Sequence, residues 1–346
     1  SPHFILYGSM QLLYAGSVKN LYADADPERV CFEYTDDYSV FDWGKMPDTI
    51  SGKGRALAEL GEFFFDRLTD AEEWKRLGLA SEPTVQPWLP VRHHFLRREA
   101  NRLFMQRVAI PPITPAKVGG TLVYDYAYPR AARQLIPLEV IFRFGVPHGS
   151  SLLERAHWYP FEIKEGIEFA DPLIEFSTKL ESKDRNLTYQ EAAMVLGGDT
   201  KQLTELMGRT AAVALFLRSL FAERGLKLWD GKLEWAHLDG GLCLVDSIGP
   251  DELRVSLGDA TFSKQFLRDF YLGSPWHKAI YKAHEQAKQR GTSDWKSIVR
   301  DEMALTPHPL SAPYAAAAHA LYDDFHAIMV KGESRTLFSE IVTALP

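Results

Sequence analysis

Between Trp229 and Trp235 the chain alternates in a way suited to a sheet with one buried face. Asp230, Lys232 and Glu234 fall on one side of such a strand, and Leu233 and Trp235 on the other. A second apolar stretch, Leu242 to Ile248, follows after Asp239-Gly240-Gly241, whose residue types suit a hairpin turn. The hairpin returns Asp246 to within a residue or so of Glu234. A fold holding this segment must therefore contain a sheet that buries aromatic bulk on one face and carries charge on the other.

The rest of the chain supplies partners for that sheet. Phe4–Tyr7, Gln11–Tyr14, Asn20–Tyr22 and Val30–Tyr34 read as short strands separated by turn residues such as Gly8-Ser9, Gly16-Ser17 and Asp26-Pro27. From Gly54 to Leu77 the apolar period changes to that of a long amphipathic helix. Residues 81–137 hold eight of the 20 prolines, so long regular elements are excluded there; short strands are expected at Leu103–Ala109 and Thr121–Tyr126. Leu138–Arg143 resumes a buried strand. Thr188-Tyr189-Gln190-Glu191 is a capping box opening a helix that Gly197-Gly198 ends. Asp199 or Thr200 caps a longer helix with an apolar stripe of Leu203, Leu206, Val213, Leu217 and Leu220, closed by Gly225. From about Ser263 the chain reads as helical. The 346 residues suggest about two domains. We expect an N-terminal β-rich lobe at 1–135, an α/β lobe at 136–300 and a helical extension at 301–346.

The net charge of −7 argues against a nucleic-acid partner. The two cysteines, Cys31 and Cys243, sit in apolar stretches and read as buried thiols of a reducing compartment. Apolar runs fall short of a membrane span, and the N-terminal residues lack a secretory pattern, so a cytoplasmic location is expected. The oligomeric state is left open, a homo-oligomer included.

Three segments carry candidate chemistry. Two carboxylates about 5 Å apart, as Glu234 and Asp246 would be, repel by roughly 3 kcal/mol at an effective dielectric near 20. Lys232 supplies one compensating charge, and magnesium carried by nucleotide phosphates would supply more. The same pattern also describes a solvated, salt-bridged strand face. Tyr14–Tyr22 places a glycine turn between two strands, which can lay backbone N–H groups and Lys19 over phosphates or be an ordinary hairpin. Arg143 followed by Gly149-Ser150, with Arg254 and Arg268, could hold a phosphomonoester or make local ion pairs.

The order of these segments resembles the phosphoribosylaminoimidazole-succinocarboxamide synthase (SAICAR synthetase) family. Leu13–Tyr22 resembles the family's LYxGKxKxLY opening. Thr35–Asp42 with Ser51-Gly52-Lys53-Gly54 resembles TDRxSAFD…PGKG. Ile136–Arg143 with Gly149-Ser150 resembles PxEVVVR…GS. Asp230–Trp235 resembles DxKxEFG, Val245-Asp246 with Pro250–Arg254 resembles DE…PDSSR, and Ser263–Asp269 resembles DKQxxRDW. The resemblance implies an α+β fold, a small antiparallel β lobe plus a larger α/β lobe with ATP bound between them, similar to kinase or ATP-grasp arrangements. It implies an ATP-dependent ligase that activates a carboxylate as an acyl phosphate and joins it to an amine: aspartate onto carboxy-aminoimidazole ribotide. Roles follow by position. Lys232, Asp230 and Lys19 would be catalytic, and Gly16, Ser17, Val18, Lys19 and Glu139 would bind ATP. Arg143, Ser150, Lys179, Asp184, Asn186, Arg254, Lys264 and Arg268 would bind substrates, and Glu234 and Asp246 would hold Mg2+.

The chain departs from the pattern at Ser17, where the family has a lysine, at Lys183 in place of a histidine, at Ser247 in place of an acid, and at Leu253 in place of a serine. The departures leave room for a related ligase with another carboxylate or amine, for a small-molecule kinase and for a nucleotide-binding protein without turnover.

Overall fold

The strand expected around Trp235 is the spine of the largest sheet in the computed structural model, which describes residues 10–346. Contacts divide the described residues into two compact units. One comprises residues up to Glu59, Leu96–Met105 and Ser263–Pro346; the other comprises Leu60–Phe95 and Gln106–Phe262. Neither unit is contiguous in the chain, unlike the lobes expected from sequence order.

The first unit holds an antiparallel sheet built from β1 (Leu12–Ala15), β2 (Lys19–Ala23), β3 (Arg29–Tyr34), β4 (Phe95–Glu99) and β5 (Arg102–Gln106), in the order β1-β2-β3-β5-β4. The strand expected at Phe4–Tyr7 lies outside the described residues. Gly16 closes the β1–β2 turn by donating its N–H to the Lys19 carbonyl at 3.0 Å. A Cβ there would sit 2.5 Å from that same oxygen, so the turn requires glycine. Helix α1 (Lys53–Leu68) starts where the Asp36 carboxylate accepts from the N–H groups of Gly52 and Gly54. A Cβ on Gly54 would meet the Tyr34 carbonyl at 2.4 Å, which explains the small residue at that start.

The single helix expected over 54–77 is two. α1 ends at Leu68, and Asp70 accepts from Glu72 N–H at 3.0 Å to cap α2 (Ala71–Arg76). A short acidic side chain that satisfies a helical N–H starts a new helix in preference to continuing the old one.

The second unit contains the hairpin of β6 (Thr114–Val118) and β7 (Thr121–Asp125), and a seven-stranded antiparallel sheet. The large sheet runs β10 (Asn186–Leu187), β9 (Glu168–Thr178), β8 (Gln134–Gly145), β11 (Lys227–Leu238), β13 (Leu253–Leu257) and β14 (Ala260–Phe262), with β12 (Gly241–Val245) also paired to β11. The β11–β12 hairpin turns at Asp239 and Gly240, both at positive φ, as its residue types predict. β4, β6, β9, β13 and β14 carry no clear sequence signal; in β9, Asp171-Pro172 interrupts the strand pattern.

One face of this sheet is apolar. Leu138, Val140, Phe142, Ile174, Phe176, Leu233 and Trp235 are buried on it. Helix α4 (Thr200–Glu223) covers that face with the expected stripe of Leu203, Leu206, Val213, Leu217 and Leu220, all buried. Each fully buried leucine contributes roughly 1.5–3 kcal/mol. Trp235 reaches a partner within this apolar layer, donating its indole N–H to Thr210 Oγ1 of α4 at 3.0 Å. Ahead of α4, the capping box of α3 (Tyr189–Val195) is complete: Thr188 Oγ1 accepts from Glu191 N–H at 3.2 Å, and the Glu191 carboxylate accepts from Thr188 N–H at 3.3 Å. Thr188→Ala is expected to cost about 1 kcal/mol in chemical denaturation. An unchanged midpoint would show that packing of Ala192, Ala193 and Val195 alone holds α3.

The remainder of the first unit is helical, as expected from Ser263 onward. It comprises α5 (Gln265–Tyr271), α6 (Pro275–Arg290), the single turn α7 (Trp295–Ser297), α8 (Ala312–Lys331) and α9 (Leu337–Thr343). Among the described residues no helix is long and apolar enough to cross a membrane. Cys31 and Cys243 are free, buried thiols, and burial pushes Cys31 up to about 11.

Candidate functional site

The face of the large sheet opposite α4 is charged, and its register explains why. Arg143 of β8 lies across from Asp230 of β11, and Glu139 lies across from Glu234. Ser177 of β9 faces Glu139, Glu175 faces Ile141, and Arg254 of β13 faces Asp230. Residues that are neighbours across strands share a face. Four strands thus contribute to one polar surface whose two ends differ in sign.

At one end Arg143 donates from Nε to Glu175 at 2.6 Å, from one terminal nitrogen to Asp230 at 3.3 Å and from the other to Ser151 Oγ at 3.3 Å. Arg155 donates twice to Glu175, at 2.8 and 3.1 Å, and Tyr159 donates its hydroxyl to the same carboxylate at 3.2 Å. Glu175 therefore accepts four hydrogen bonds, which uses the capacity of its two oxygens. Burial pushes its carboxyl up, but Arg155 and Arg143 outweigh that and hold it below the ordinary range. Asp230 also pairs with Arg254 at 3.2 Å; burial pushes Asp230 up against the pull of Arg254 and Arg143. Three guanidinium groups face two carboxylates, leaving one positive charge. Arg254, whose side chain is 31% exposed, is the member most open to solvent. Such an end suits a phosphate. Ser150 is buried beside it and accepts from Leu152 N–H at 3.3 Å, capping a 3-10 helix over Ser151–Trp158.

At the other end Lys179 donates to Glu234, and Lys232 donates to Glu139 at 3.4 Å. Ser177 Oγ donates to the second Glu139 oxygen at 3.2 Å. Val245 pairs with Glu234, so Asp246 follows directly, at φ +69, as the chain leaves the sheet. Burial lowers Lys179, but Glu234, Asp246 and Glu139 outweigh it; burial likewise lowers Lys232, and Glu139, Glu252 and Glu234 outweigh it. Both amines therefore stay protonated at neutral pH and act as fixed cations, not as bases. Three carboxylates against two ammonium groups leave this end negative. No group of three or more His, Cys, Asp or Glu side chains is arranged to hold a metal by itself among the described residues. Glu234 and Asp246 fit the smaller demand of magnesium, which usually takes one or two carboxylates and completes its shell with phosphates and water.

The loop from Lys179 returns through Asp184 to Asn186, which pairs with Ser177. Glu139, Arg143, Ser150, Lys179, Asp184, Asn186, Asp230, Lys232, Glu234, Asp246 and Arg254 thus all belong to the second unit. Gly16, Ser17, Val18, Lys19, Lys264 and Arg268 belong to the first. There the Lys19 ammonium lies 4.4 Å from the Phe32 ring centroid. Lys264 precedes α5, and Arg268 lies within it, 3.4 Å from the Gln265 side-chain oxygen. Glu175, Arg155, Tyr159 and Ser151 were missed from sequence. The only available signal was an acid inside the apolar run Leu173–Phe176.

Comparison with known proteins bears on the family and the fold. The family model described as SAICAR synthetase matches residues 12–283. A chain of Archaeoglobus fulgidus, provisionally named phosphoribosylaminoimidazole-succinocarboxamide synthase, is 32% identical over 299 residues, 82% of this chain and 85% of the relative. A Streptomyces avermitilis chain of the same enzyme name is 29% identical over 282 residues, covering 76% and 81%. Among solved structures, SAICAR synthase from Saccharomyces cerevisiae, complexed with SAICAR, aligns with a TM-score of 0.59 at 20% identity, covering 96% of this chain and 98% of that one. A SAICAR synthetase in complex with ADP aligns at 0.54 and 23% identity, covering 86% and 99%. The structural likenesses show a shared fold, and the family match over most of the length shows descent: this chain belongs to the SAICAR synthetase family.

Proposed function

We propose that the protein is an ATP-dependent carboxylate–amine ligase joining aspartate to carboxy-aminoimidazole ribotide. One observation carries the reading: a single sheet face presents an arginine end with one excess positive charge and an acidic end with two protonated lysines. A phosphorylated carboxylate has a use for both ends. Its phosphate suits Arg143, Arg254 and Ser150, with Asp230 holding the two arginines in place. Its carboxylate then extends toward Lys232. Lys179, Asp184 and Asn186 border that end on the substrate loop, and Glu139 aligns Lys232. Gly16, Ser17, Val18 and Lys19 are assigned to the nucleotide, and Lys264 and Arg268 to substrate, by position in the family pattern.

In the reaction a carboxylate oxygen attacks the γ-phosphorus of ATP and ADP leaves. The aspartate amine then attacks the acyl carbon, loses a proton, and inorganic phosphate departs. Positioning and charge neutralisation are what such steps ask of a protein. Lys232 neutralises charge on the transferring phosphoryl group. Glu234 and Asp246 would hold Mg2+, which when bound offsets the charge of the nucleotide phosphates.

The test is a product assay by mass spectrometry, with ATP, magnesium and the ribotide, with and without aspartate. A succinocarboxamide and stoichiometric ADP are expected only when aspartate is present. ADP release that ignores aspartate, or nucleotide binding without any product, would overturn this substrate pair and move the search to other carboxylates and amines.

A further inference from the structure

The first unit contains a cleft of about 440 Å³ in which the Gly16-Ser17 turn meets residues given no role above. One wall is the Gly16-Ser17 turn. Ser39, Asp42, Gly44, Lys45 and, from α7, Lys296 also line the cleft. Two lysines and one aspartate thus line it.

The lysine-bearing segments are held in place. Trp43, two residues before Lys45, packs against Trp276 at 5.5 Å and against Trp295 at 6.0 Å between ring centroids. Trp295 adjoins Lys296 and is itself stacked on His284 at 4.3 Å. Lys45 is further tied to Asp37 at 3.6 Å. The loop between has an unusual backbone. Phe41 and Asp42 both adopt positive φ, at +54 and +57, Gly44 lies at +103, and its N–H donates to Ser39 Oγ at 3.2 Å. A bulky residue in the left-handed region is costly and persists where surrounding contacts enforce it. Here the enforcing contacts include Phe41 against Trp276 and His277.

Lys19, on the same hairpin as Ser17, directs its ammonium over the rings of Phe32 and Tyr34 and does not line the cleft. The lysines that do line it come from distant parts of the sequence. We propose that Lys45 and Lys296 bind the terminal phosphates of the nucleotide beside the Gly16-Ser17 turn, supplying from the Ser39–Lys45 loop and from α7 the charge that serine does not provide. The inference rests on the nucleotide use in the reading above.

Calorimetric titration of the full chain with ADP, AMP and adenosine tests it. Lys296→Met and Lys45→Met are each expected to weaken ADP roughly tenfold, as loss of a charge-assisted phosphate contact would. AMP and adenosine should bind as before. Ser17→Lys added to Lys296→Met should restore most of the lost ADP affinity, because it returns a cation to the same cleft. Unchanged ADP affinity in the Lys45→Met/Lys296→Met double variant would overturn the proposal. So would equal weakening of ADP, AMP and adenosine, or failure of Ser17→Lys to restore binding. The ligase reading fails separately. If the lysines govern ADP affinity but no succinocarboxamide forms, the cleft assignment stands and the substrate pair falls. If product forms while ADP ignores both lysines, the reverse holds.

Discussion

Glu234→Gln is expected to lower amide formation by about a hundredfold or more, the scale seen when one preorganised electrostatic group is removed from a reacting centre. The protein should stay folded. Glu234 sits across the sheet from Glu139, so the variant relieves a like-charge pair, while Lys179 keeps Asp246 and Glu139 nearby. The structural loss is then one hydrogen-bonded ion pair, with a neutral amide of the same shape left in its place. Turnover measured across a magnesium titration, beside a thermal melt, checks both halves. Wild-type turnover in the variant would remove Glu234 from the metal and reaction roles. Inactivity together with a collapsed melt would show that the pair with Lys179 is structural.

The second large effect concerns stability. Glu175→Gln is expected to cost roughly 3–5 kcal/mol, because removing one partner of a buried ion pair leaves the others uncompensated. The side chain is only 3% exposed, and every acceptor site on its carboxylate is taken by Arg143, Arg155 or Tyr159. Glutamine would place an amide donor among donors. A melting temperature lower by on the order of 10 °C follows for a unit of this size. The pH dependence has a definite sign. The folded carboxyl is held below its ordinary range, so the unfolded chain takes up that proton more readily. The stabilisation is complete above the ordinary glutamate range and fades as pH falls through the folded value. Melts of wild type and variant should therefore converge in acid. A variant that melts with wild type at neutral pH would show that the arginines find other partners.

The elements written in local chemistry were legible. Thr188 and Glu191 lie three residues apart, and their cap forms as the pattern requires. The alternation around Trp235 placed Lys232 and Glu234 on the face away from α4, and the Asp239-Gly240 turn set the return of Asp246. What stayed hidden depends on residues far apart in the chain. Arg143 meets Glu175 across 32 residues and Arg155 meets it across 20. No periodicity announces such pairs. β9 was obscured by Asp171-Pro172, although its buried half supplies Glu175. The helix break at Asp70 shows the converse, a local cap overriding an apolar period that runs on past it.

The alignment of both charged ends on β8 has a metric consequence. Arg143 and Glu139 are four residues apart on one strand, and an antiparallel strand advances about 3.4 Å per residue, so the two ends are separated by roughly 14 Å. Hydrogen-bonded neighbours on both sides make that separation a rigid length. On the proposed ligase reading the sheet therefore works as a gauge. Inorganic phosphate spans too little of it to engage both ends at once, and so does a short carboxylate. In that reading, a molecule that carries a phosphate at one extremity and a carboxylate near the other would touch both, and its overall length would select it before any chemistry begins.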